Sequence, residues 1–210
     1  MKIDLHVHTN YSADSIIKPR DLASKSERLG IIPAITDHNT MCSIREMTNL
    51  GAAFIPGEEI RTERGDLIGL FIYEKIPKKT SFASALDSIH EQGGLSLLPH
   101  MFDTSRSGVI PEKDEIKKID IVEAFNSRCL DASFNEKADR FADEHKIPKA
   151  AGSDCHFLFE FGSTYAEVPD FDLEQPRSLM KSLSNARIFG KTAPFFVRGT
   201  TSLIKLLKKG

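Results

Sequence analysis

Histidines, carboxylates or both occur at five places in this 210-residue chain, each within or directly after a short apolar run. In the first, Ile3-Asp4-Leu5-His6-Val7-His8, a strand would put His6 and His8 on one face, because successive strand side chains point to opposite faces. The other four are Thr36-Asp37-His38, Gly57-Glu58-Glu59-Ile60, Leu98-Pro99-His100 and Gly152-Ser153-Asp154-Cys155-His156. Imidazole and carboxylate donors without thiolate suit Mn, Zn, Fe or Mg, and they outnumber what one four-coordinate ion can use. The pattern therefore predicts a centre of two or three divalent ions.

Each of these residues also has an ordinary structural interpretation. A single histidine or carboxylate at a strand end is more often a surface or hydrogen-bonded residue than a metal ligand, so only the combination carries the prediction. Cys155 stands between two candidate ligands, and alternation turns it to the opposite face and into packing. Cys42, Cys129 and Cys155 are odd in number and lack metal-type spacing, which argues against a disulfide framework and a thiolate zinc site.

Length and charge limit the function classes. The chain is long enough for one domain, residues 1–210, with a full hydrophobic core. It has 28 basic and 30 acidic residues, a formal net charge of −2, so no global charge favours nucleic acid or an anionic membrane. The N terminus leads straight into a strand, which leaves no room for a signal peptide, and no apolar run approaches the ~20 residues of a membrane span. These features predict a cytoplasmic protein.

Strand-like and helix-like segments alternate along the chain at short intervals. Helical periodicity is clearest from Phe82 to Gln92 and from Ala132 to His145. The predicted strands are Ile3 to His8, Ile31 to Thr36, Ala53 to Pro56, Leu67 to Ile72, Leu95 to Leu98, Ile119 to Ala124, Lys149 to Ala151 and Tyr165 to Val168. Strands that are apolar on both faces and followed by helices favour a parallel sheet, as an open doubly wound fold or a closed barrel. Candidate ligands at five strand ends meet only if the sheet closes, which favours a barrel with the site at its C-terminal mouth.

The same motifs, in the same order, resemble those of the PHP (polymerase and histidinol phosphatase) domain. The resemblance covers nearly the whole chain, from Asp4-Leu5-His6-Val7-His8-Thr9 to the segment ending at His156. It implies an α/β fold, a distorted (β/α)7 TIM-like barrel, with up to three divalent metals at the C-terminal strand ends and with phosphoester hydrolysis as the activity. The metal ligands it implies are His6, His8, His38, Glu59, His100, Asp154 and His156.

Two acidic residues need separate treatment. The family places a histidine or aspartate several residues after the His-x-His pair, and Asp14 occupies that position here. Many relatives also carry a histidine just before a strand of the type Leu-Leu-Gly-Leu, where this chain has Asp66. Asp66 is either a replacement ligand or a turn residue after Gly65, and we favour the turn.

Cations near the mouth are candidates for phosphate binding. Arg106, six residues after His100, and Arg128, just after a predicted strand, are the best placed, because guanidinium forks match phosphate oxygens. Lysines at 205, 208 and 209 could indicate nucleic acid, but cations at the end of a helix usually complement its dipole, and we prefer that interpretation.

Together these features predict a metal-dependent phosphoesterase that acts on a small phosphorylated metabolite or nucleotide through metal-activated hydroxide. Asp154 and His156 are also candidates for proton transfer to the leaving oxygen. An exonuclease acting on oligonucleotide ends is the alternative within hydrolases. A PHP scaffold without catalysis is the alternative from another class, but such a scaffold would be expected to have lost ligands.

Overall fold

The computed structural model of the protein describes residues 1–208, apart from the side chains of residues 195, 198, 199, 202 and 203. The described part contains nine strands: β1 (Lys2–Val7), β2 (Ile31–Ile35), β3 (Ile55–Arg61), β4 (Asp66–Leu70), β5 (Leu95–Leu98), β6 (Ile121–Asn126), β7 (Lys149–Gly152), β8 (Tyr165–Glu167) and β9 (Arg187–Phe189). Its α-helices are α1 (Pro19–Leu29), α2 (Cys42–Asn49), α3 (Phe82–Glu91), α4 (Ala132–His145), α5 (Pro176–Leu183) and α6 (Phe195–Leu207). None of these described helices is both long and apolar enough to cross a membrane.

The first seven strands follow one another around a nearly closed barrel. Closure occurs where β1 meets the segment after β7: the backbone N–H of Asp154 donates to His6 O at 2.8 Å, and that of His8 donates to Cys155 O at 3.3 Å. Strands β8 and β9 form an antiparallel pair that joins the start of β1 through Lys2 and Ile3. The predicted TIM-like α/β barrel is therefore confirmed.

Strand β4 departs from the predicted all-parallel sheet, since it runs antiparallel to both β3 and β5. The reason is local: β3 and β4 are joined by a turn of only four residues, too short for the helix of a parallel crossover. Thr62 N–H donates to Gly65 O at 2.8 Å across this turn. Gly65 has a φ of 155°, and a Cβ there would lie 2.3 Å from Ser107 O, so the turn requires glycine.

Element boundaries follow the sequence signals to different degrees. The predicted strand Leu95 to Leu98 and helix Ala132 to His145 have those bounds in the structure. Strand β3 is longer than the predicted Ala53 to Pro56, so Glu59 lies inside a strand. The predicted apolar stripe of α3 is buried, and Cys155 packs in the core as expected.

Apolar side chains from the barrel strands fill the interior below the mouth. Ile3, Leu5, Ile55 and Leu97 are all fully buried in this cluster, together with Leu179 of α5. Burial of such side chains contributes roughly 1.5 to 3 kcal/mol each. This core holds the strand ends in fixed positions, and the strand ends carry the polar groups described next.

Candidate metal centre

Eight side chains predicted as ligands meet at the C-terminal mouth of the barrel. His6 belongs to β1 and Glu59 to β3, whereas the others lie in segments that follow β1, β2, β5 and β7. Seven of the eight, all but Asp14, belong with Asp66 to overlapping groups; within each group, one donor atom per residue lies within 4.8 Å of the others. Those groups are His8, His38 and His156; His6, His100 and Asp154; His6, His8 and Glu59; and Glu59, Asp66 and His100.

The centre of the cluster consists of two histidines and two carboxylates, all buried. His6 Nε2 lies 3.0 Å from His8 Nε2. Glu59 Oε2 lies 3.5 Å from the His6 nitrogen and 3.4 Å from that of His8. Asp154 Oδ1 lies 3.7 and 3.3 Å from the same two nitrogens. Four donor atoms thus surround one small volume.

Asp14 links two further histidines on the open side of the cluster. Its Oδ2 lies 3.5 Å from His38 Nε2, and its Oδ1 lies 3.5 Å from His156 Nε2. His38 Nδ1 in turn lies 2.7 Å from Glu59 Oε2. The structure therefore places Asp14 where the family pattern implied a ligand, beside His38 and His156.

Asp66 is not a turn residue in the structure, contrary to the interpretation favoured from the sequence. It is the first residue of β4, is 2% exposed, and belongs to one donor group with Glu59 and His100. Arg61 Nε lies 2.9 Å from Asp66 Oδ1. Burial, and then the nearby charge of Glu59, raise the pKa of Asp66 to about 7. The antiparallel β4, which the sequence did not predict, is what turns this side chain toward the mouth.

Two of the predicted ligands occupy the left-handed backbone region. His100 has a φ of 30° and Asp154 a φ of 51°. Such conformations cost on the order of 1–3 kcal/mol and persist where the surroundings fix them. Asp154 is fixed by its N–H bond to His6 O, and His100 by an N–H bond of 2.8 Å to Glu123 Oε2. The backbone strain thus lies at the site itself.

Glu123, in β6, supports the ligands from below and was missed in the sequence. Its Oε1 lies 2.9 Å from His6 Nδ1, and Asn126 Nδ2 donates to its Oε2 at 3.0 Å. A Cβ at Gly152 would lie 2.0 Å from Glu123 Oε1, so only glycine leaves room for this carboxylate. A charged residue between the apolar residues Val122 and Ala124 of a predicted strand was the signal that could have identified it.

A second support network holds His8. Ser12 Oγ donates to Asp37 Oδ1 at 2.7 Å and lies 3.2 Å from His8 Nδ1. Because the Ser12 hydroxyl hydrogen is used on Asp37, Ser12 accepts from the His8 Nδ1–H group. Asp37 also accepts from Thr9 N–H at 2.7 Å and Thr9 Oγ1 at 2.6 Å. Such partners fix the tautomer and orientation of metal-binding imidazoles.

The charges in the cluster favour ionised carboxylates. Burial alone would raise the pKa of Glu59, but the charges of His38 and His6 hold it well below its usual value. The pKa of Asp154 is likewise held low, against burial, by Arg106 and His6. Burial and the neighbouring His38 and His156 lower the pKa of His8 to about 4. The cluster thus offers anionic oxygens and a neutral imidazole, the protonation states that metal ions require.

The donor set fits divalent metal ions. With Nδ1–H groups directed at Glu123 and Ser12, the Nε2 atoms of His6 and His8 both direct lone pairs into the same space. The buried oxygens Glu59 Oε2 and Asp14 Oδ1 face imidazole nitrogens at 2.7–3.5 Å without hydrogen-bond geometry. Although burial lowers the pKa of His6, the charges of Asp154, Glu123 and Glu59 raise it well above its usual value. The raised pKa means that His6 holds a proton on Nε2, facing His8 Nε2, until a metal ion binds there and displaces it.

The two arginines predicted to bind phosphate have different surroundings. Arg106 donates to Asp154 Oδ2 and, at 3.1 Å, to Asn126 Oδ1, and it lines a cavity of about 410 Å³ above the cluster. Arg128 also lines this cavity, but its guanidinium is buried and donates to Glu160 Oε1 at 3.0 Å. Glu160 Oε2 accepts from the N–H of His156 at 3.0 Å, so this ion pair also holds the His156 loop.

Comparisons with known proteins agree with this architecture. Residues 4–93 match the family model described as the PHP domain, and residues 132–188 match the model described as PHP-associated. An uncharacterized protein of Methanocaldococcus jannaschii is 41% identical over 186 residues, which are 85% of this chain and 75% of that protein.

Two solved structures share the fold. One is a two-domain protein from Bacteroides vulgatus that contains a predicted PHP-like metal-dependent phosphoesterase; its TM-score is 0.74 at 16% identity, over 97% of this chain and 69% of that one. The other is a candidate metal-dependent phosphoesterase from Bifidobacterium adolescentis, with a TM-score of 0.60 at 17% identity, over 73% of this chain and 87% of that one. The matched models, the barrel and its motifs show that this chain belongs to the PHP domain family.

Proposed function

We propose that the protein hydrolyses a phosphoester of a small metabolite or nucleotide with two or three divalent ions held at the mouth of the barrel. The observation that carries this proposal is the convergence of five histidines and three carboxylates from separate strand ends into one buried donor cluster beneath a cavity. Bound there, divalent ions would lower the pKa of a water molecule to near neutrality and polarise the phosphoryl oxygens.

The residues around the cavity supply the charge that an anionic substrate needs. Four carboxylates line it: Asp14, Glu59 and Asp154, which the sequence predicted as ligands, and Asp66, which shares a donor group with Glu59 and His100. Bound ions would neutralise their charge. The lining cations are Arg61, Lys78, Lys79, Arg106, Arg128 and Lys205. A cavity with more cations than carboxylates, to which metal ions are added, favours a phosphate dianion.

Arg106 is the proposed phosphate-binding arginine. Its guanidinium is anchored on Asp154 and Asn126, so it is held in one orientation at the cavity wall. A guanidinium so placed can donate its remaining N–H groups to two phosphate oxygens. Preorganised donors of this kind stabilise the charge that develops on the oxygens during the reaction.

His156 and Asp154 are the proposed residues for proton transfer to the leaving oxygen. His156 Nδ1 lies 2.8 Å from Asp154 O, which assigns the proton to Nδ1 and leaves Nε2 directed toward Asp14 and the cavity. Both residues therefore present acceptor atoms that can take a proton from the attacking water and return it to the leaving oxygen.

The cavity favours a small substrate over a polymer. A volume of about 410 Å³ is typical of small-molecule sites, and the formal net charge of −2 gives no overall attraction to a nucleic-acid backbone. The nuclease alternative remains an outcome of the experiment.

A substrate panel tests the proposal. Metal-stripped protein would be reloaded separately with Mn, Zn, Mg and Fe and assayed on nucleotides, sugar phosphates, histidinol phosphate and short oligonucleotides. We expect turnover of one class of small phosphoester, its loss with chelator, and its loss in His38→Ala and Glu59→Ala. Faster release of nucleotides from oligonucleotide ends would identify an exonuclease instead. A folded, metal-loaded protein that hydrolyses none of these compounds would overturn the proposal.

A further inference from the structure

Helix α6 lies along one side of the mouth. Val197, Thr201, Lys205 and Lys208 are spaced by four, four and three residues, so they share one face of the helix. Val197 O accepts from Arg128 at 3.4 Å, and Thr201 and Lys205 line the cavity. This face therefore extends from the end of β6 to the loop that follows β1.

Lys208 fastens the end of this helix to the β1–α1 loop. Its ammonium donates to the carbonyl oxygens of Asn10 at 3.0 Å, Ser12 at 3.0 Å and Ser15 at 2.7 Å. An ammonium has three N–H donors, so this set uses all of them. The side chain thus reaches away from its own helix, contrary to the interpretation that it serves the helix dipole; residue 209 lies outside the described structure. The loop that Lys208 binds contains Asp14, so this contact fixes the position of α6 relative to a proposed ligand.

Lys205 lies about one turn before that anchor and is directed at the cluster. Its Nζ is 4.0 Å from Asp14 Oδ2, too far for a hydrogen bond, and its side chain is 52% exposed. Among the described residues it forms no other ion pair. Asp14 Oδ2 also lies 3.5 Å from His38 Nε2, so it faces another predicted ligand. The ammonium of Lys205 therefore has N–H donors that face the cavity and are not engaged.

We propose that Lys205 binds an anionic oxygen of the substrate from the α6 side of the mouth, while Arg106 acts from the side of Asp154. This inference rests on the proposed phosphoesterase function and assigns its substrate contact to an element remote in sequence from every metal-binding motif. Lys205 lines the cavity beside Asp14, so the oxygen it would contact lies between the metal cluster and α6.

Binding of inorganic phosphate to the metal-loaded protein tests Lys205 without relying on turnover. Isothermal titration calorimetry would compare wild type with Lys205→Met, Lys205→Arg and, as a matched control, Lys181→Met, an exposed lysine of α5. We expect Lys205→Met to weaken phosphate binding about tenfold, or ~1.4 kcal/mol, while Lys205→Arg and Lys181→Met bind within about threefold of wild type. Thermal unfolding would check that all four proteins are equally folded.

The outcomes separate this inference from the proposed function. Equal phosphate affinity in wild type and Lys205→Met overturns the role of Lys205, even if the enzyme hydrolyses phosphoesters. An equal loss in Lys181→Met also overturns it, since the effect would then reflect general charge. A specific loss in Lys205→Met, in a protein that hydrolyses no phosphoester, supports the anion site and removes the proposed function instead.

Discussion

A single carboxylate, that of Glu123, connects two proposed ligands on different strands: its Oε1 lies 2.9 Å from His6 Nδ1, and its Oε2 accepts from the backbone N–H of His100 at 2.8 Å. A carboxylate in this position accepts a hydrogen bond at each oxygen. The consequence is that the proton of His6 resides on Nδ1 and that Nε2 is left for a metal ion.

We expect Glu123→Gln to weaken metal binding by roughly 10- to 100-fold while the barrel stays folded. The amide has one acceptor, which the N–H of His100 would take. Its NH₂ group would then face His6 Nδ1 and reverse the tautomer, which places a proton on Nε2. Metal affinity is measured by competition with a fluorescent chelator.

Asp120→Asn is the matched control, because Asp120 Oδ2 lies 2.9 Å from His90 Nε2 in a carboxylate–histidine pair outside the cluster. It should leave metal affinity unchanged. Equal affinities of Glu123→Gln and wild type would show that His6 is oriented without this carboxylate.

Arg106 and Arg128 should respond differently to replacement by methionine. We expect Arg106→Met to lower kcat/KM by roughly 10- to 1,000-fold with little change in stability, because its side chain faces the cavity. We expect Arg128→Met to lower the free energy of unfolding by about 3–5 kcal/mol, because it leaves Glu160 charged and buried. Urea unfolding and steady-state kinetics measure the two effects.

The double variant Arg128→Met/Glu160→Gln provides the control for this contrast. It removes the buried charge while the amide oxygen can still accept from the N–H of His156, so part of the lost stability should return. A stable but inactive Arg128→Met would assign Arg128 to phosphate binding, as the sequence predicted.

Asp66→Asn should reduce the number of bound ions by one. Asp66 shares a donor group with Glu59 and His100, and an amide oxygen is a weaker ligand than a carboxylate. Elemental analysis of dialysed protein measures the ion count. Arg61→Gln is the control: if Asp66 acts only as the partner of Arg61, the two variants will behave alike and both will retain the wild-type metal content.

Glu58 should make stability depend on pH. It is fully buried, its Oε2 accepts from Ile76 N–H at 2.8 Å, and its Oε1 has no partner in the described structure. Burial raises its pKa from 4.5 to about 7. Because the folded-state pKa lies above the unfolded one, this group's contribution is present below about pH 4.5 and is lost as the pH rises through about 7.

Glu58→Gln stays neutral and should therefore gain stability relative to wild type between pH 5 and pH 8, by on the order of 2 to 3 kcal/mol. Urea unfolding of chelator-treated protein at the two pH values measures the difference. Glu136→Gln, at an exposed position of α4, should show no such change. Parallel pH profiles for wild type and Glu58→Gln would mean that Glu58 is already ionised in the folded protein.

The clustering of the predicted ligands could be foreseen because their signals are local. His6 and His8 follow from strand alternation, and His38, His100 and Asp154 follow apolar runs that proved to be strands or strand ends. The helix Ala132–His145 was predictable for the same reason, since one apolar stripe and its length define it.

The features that the sequence did not predict depend on contacts between segments that are distant in the chain. The direction of β4 is decided by the short turn at Gly65 and its packing against Ser107, and that direction brings Asp66 into the cluster. Glu123 acquires its role only when β6 lies beside β7 at Gly152. The position of Lys205 requires a helix some 190 residues from Asp14 to return to the mouth, which no spacing rule encodes.

The left-handed backbone at His100 and Asp154 limits which metal centres this scaffold can evolve. Among donor residues, histidine, aspartate and asparagine tolerate that conformation better than the longer glutamate does. His6 and Glu59 lie in regular strands, where a change of donor meets no such barrier. Selection for a different metal should therefore change His6 and Glu59 before His100 and Asp154. A laboratory library aimed at metal exchange should vary the two strand positions, because the left-handed backbone restricts which donor residues fit at the other two.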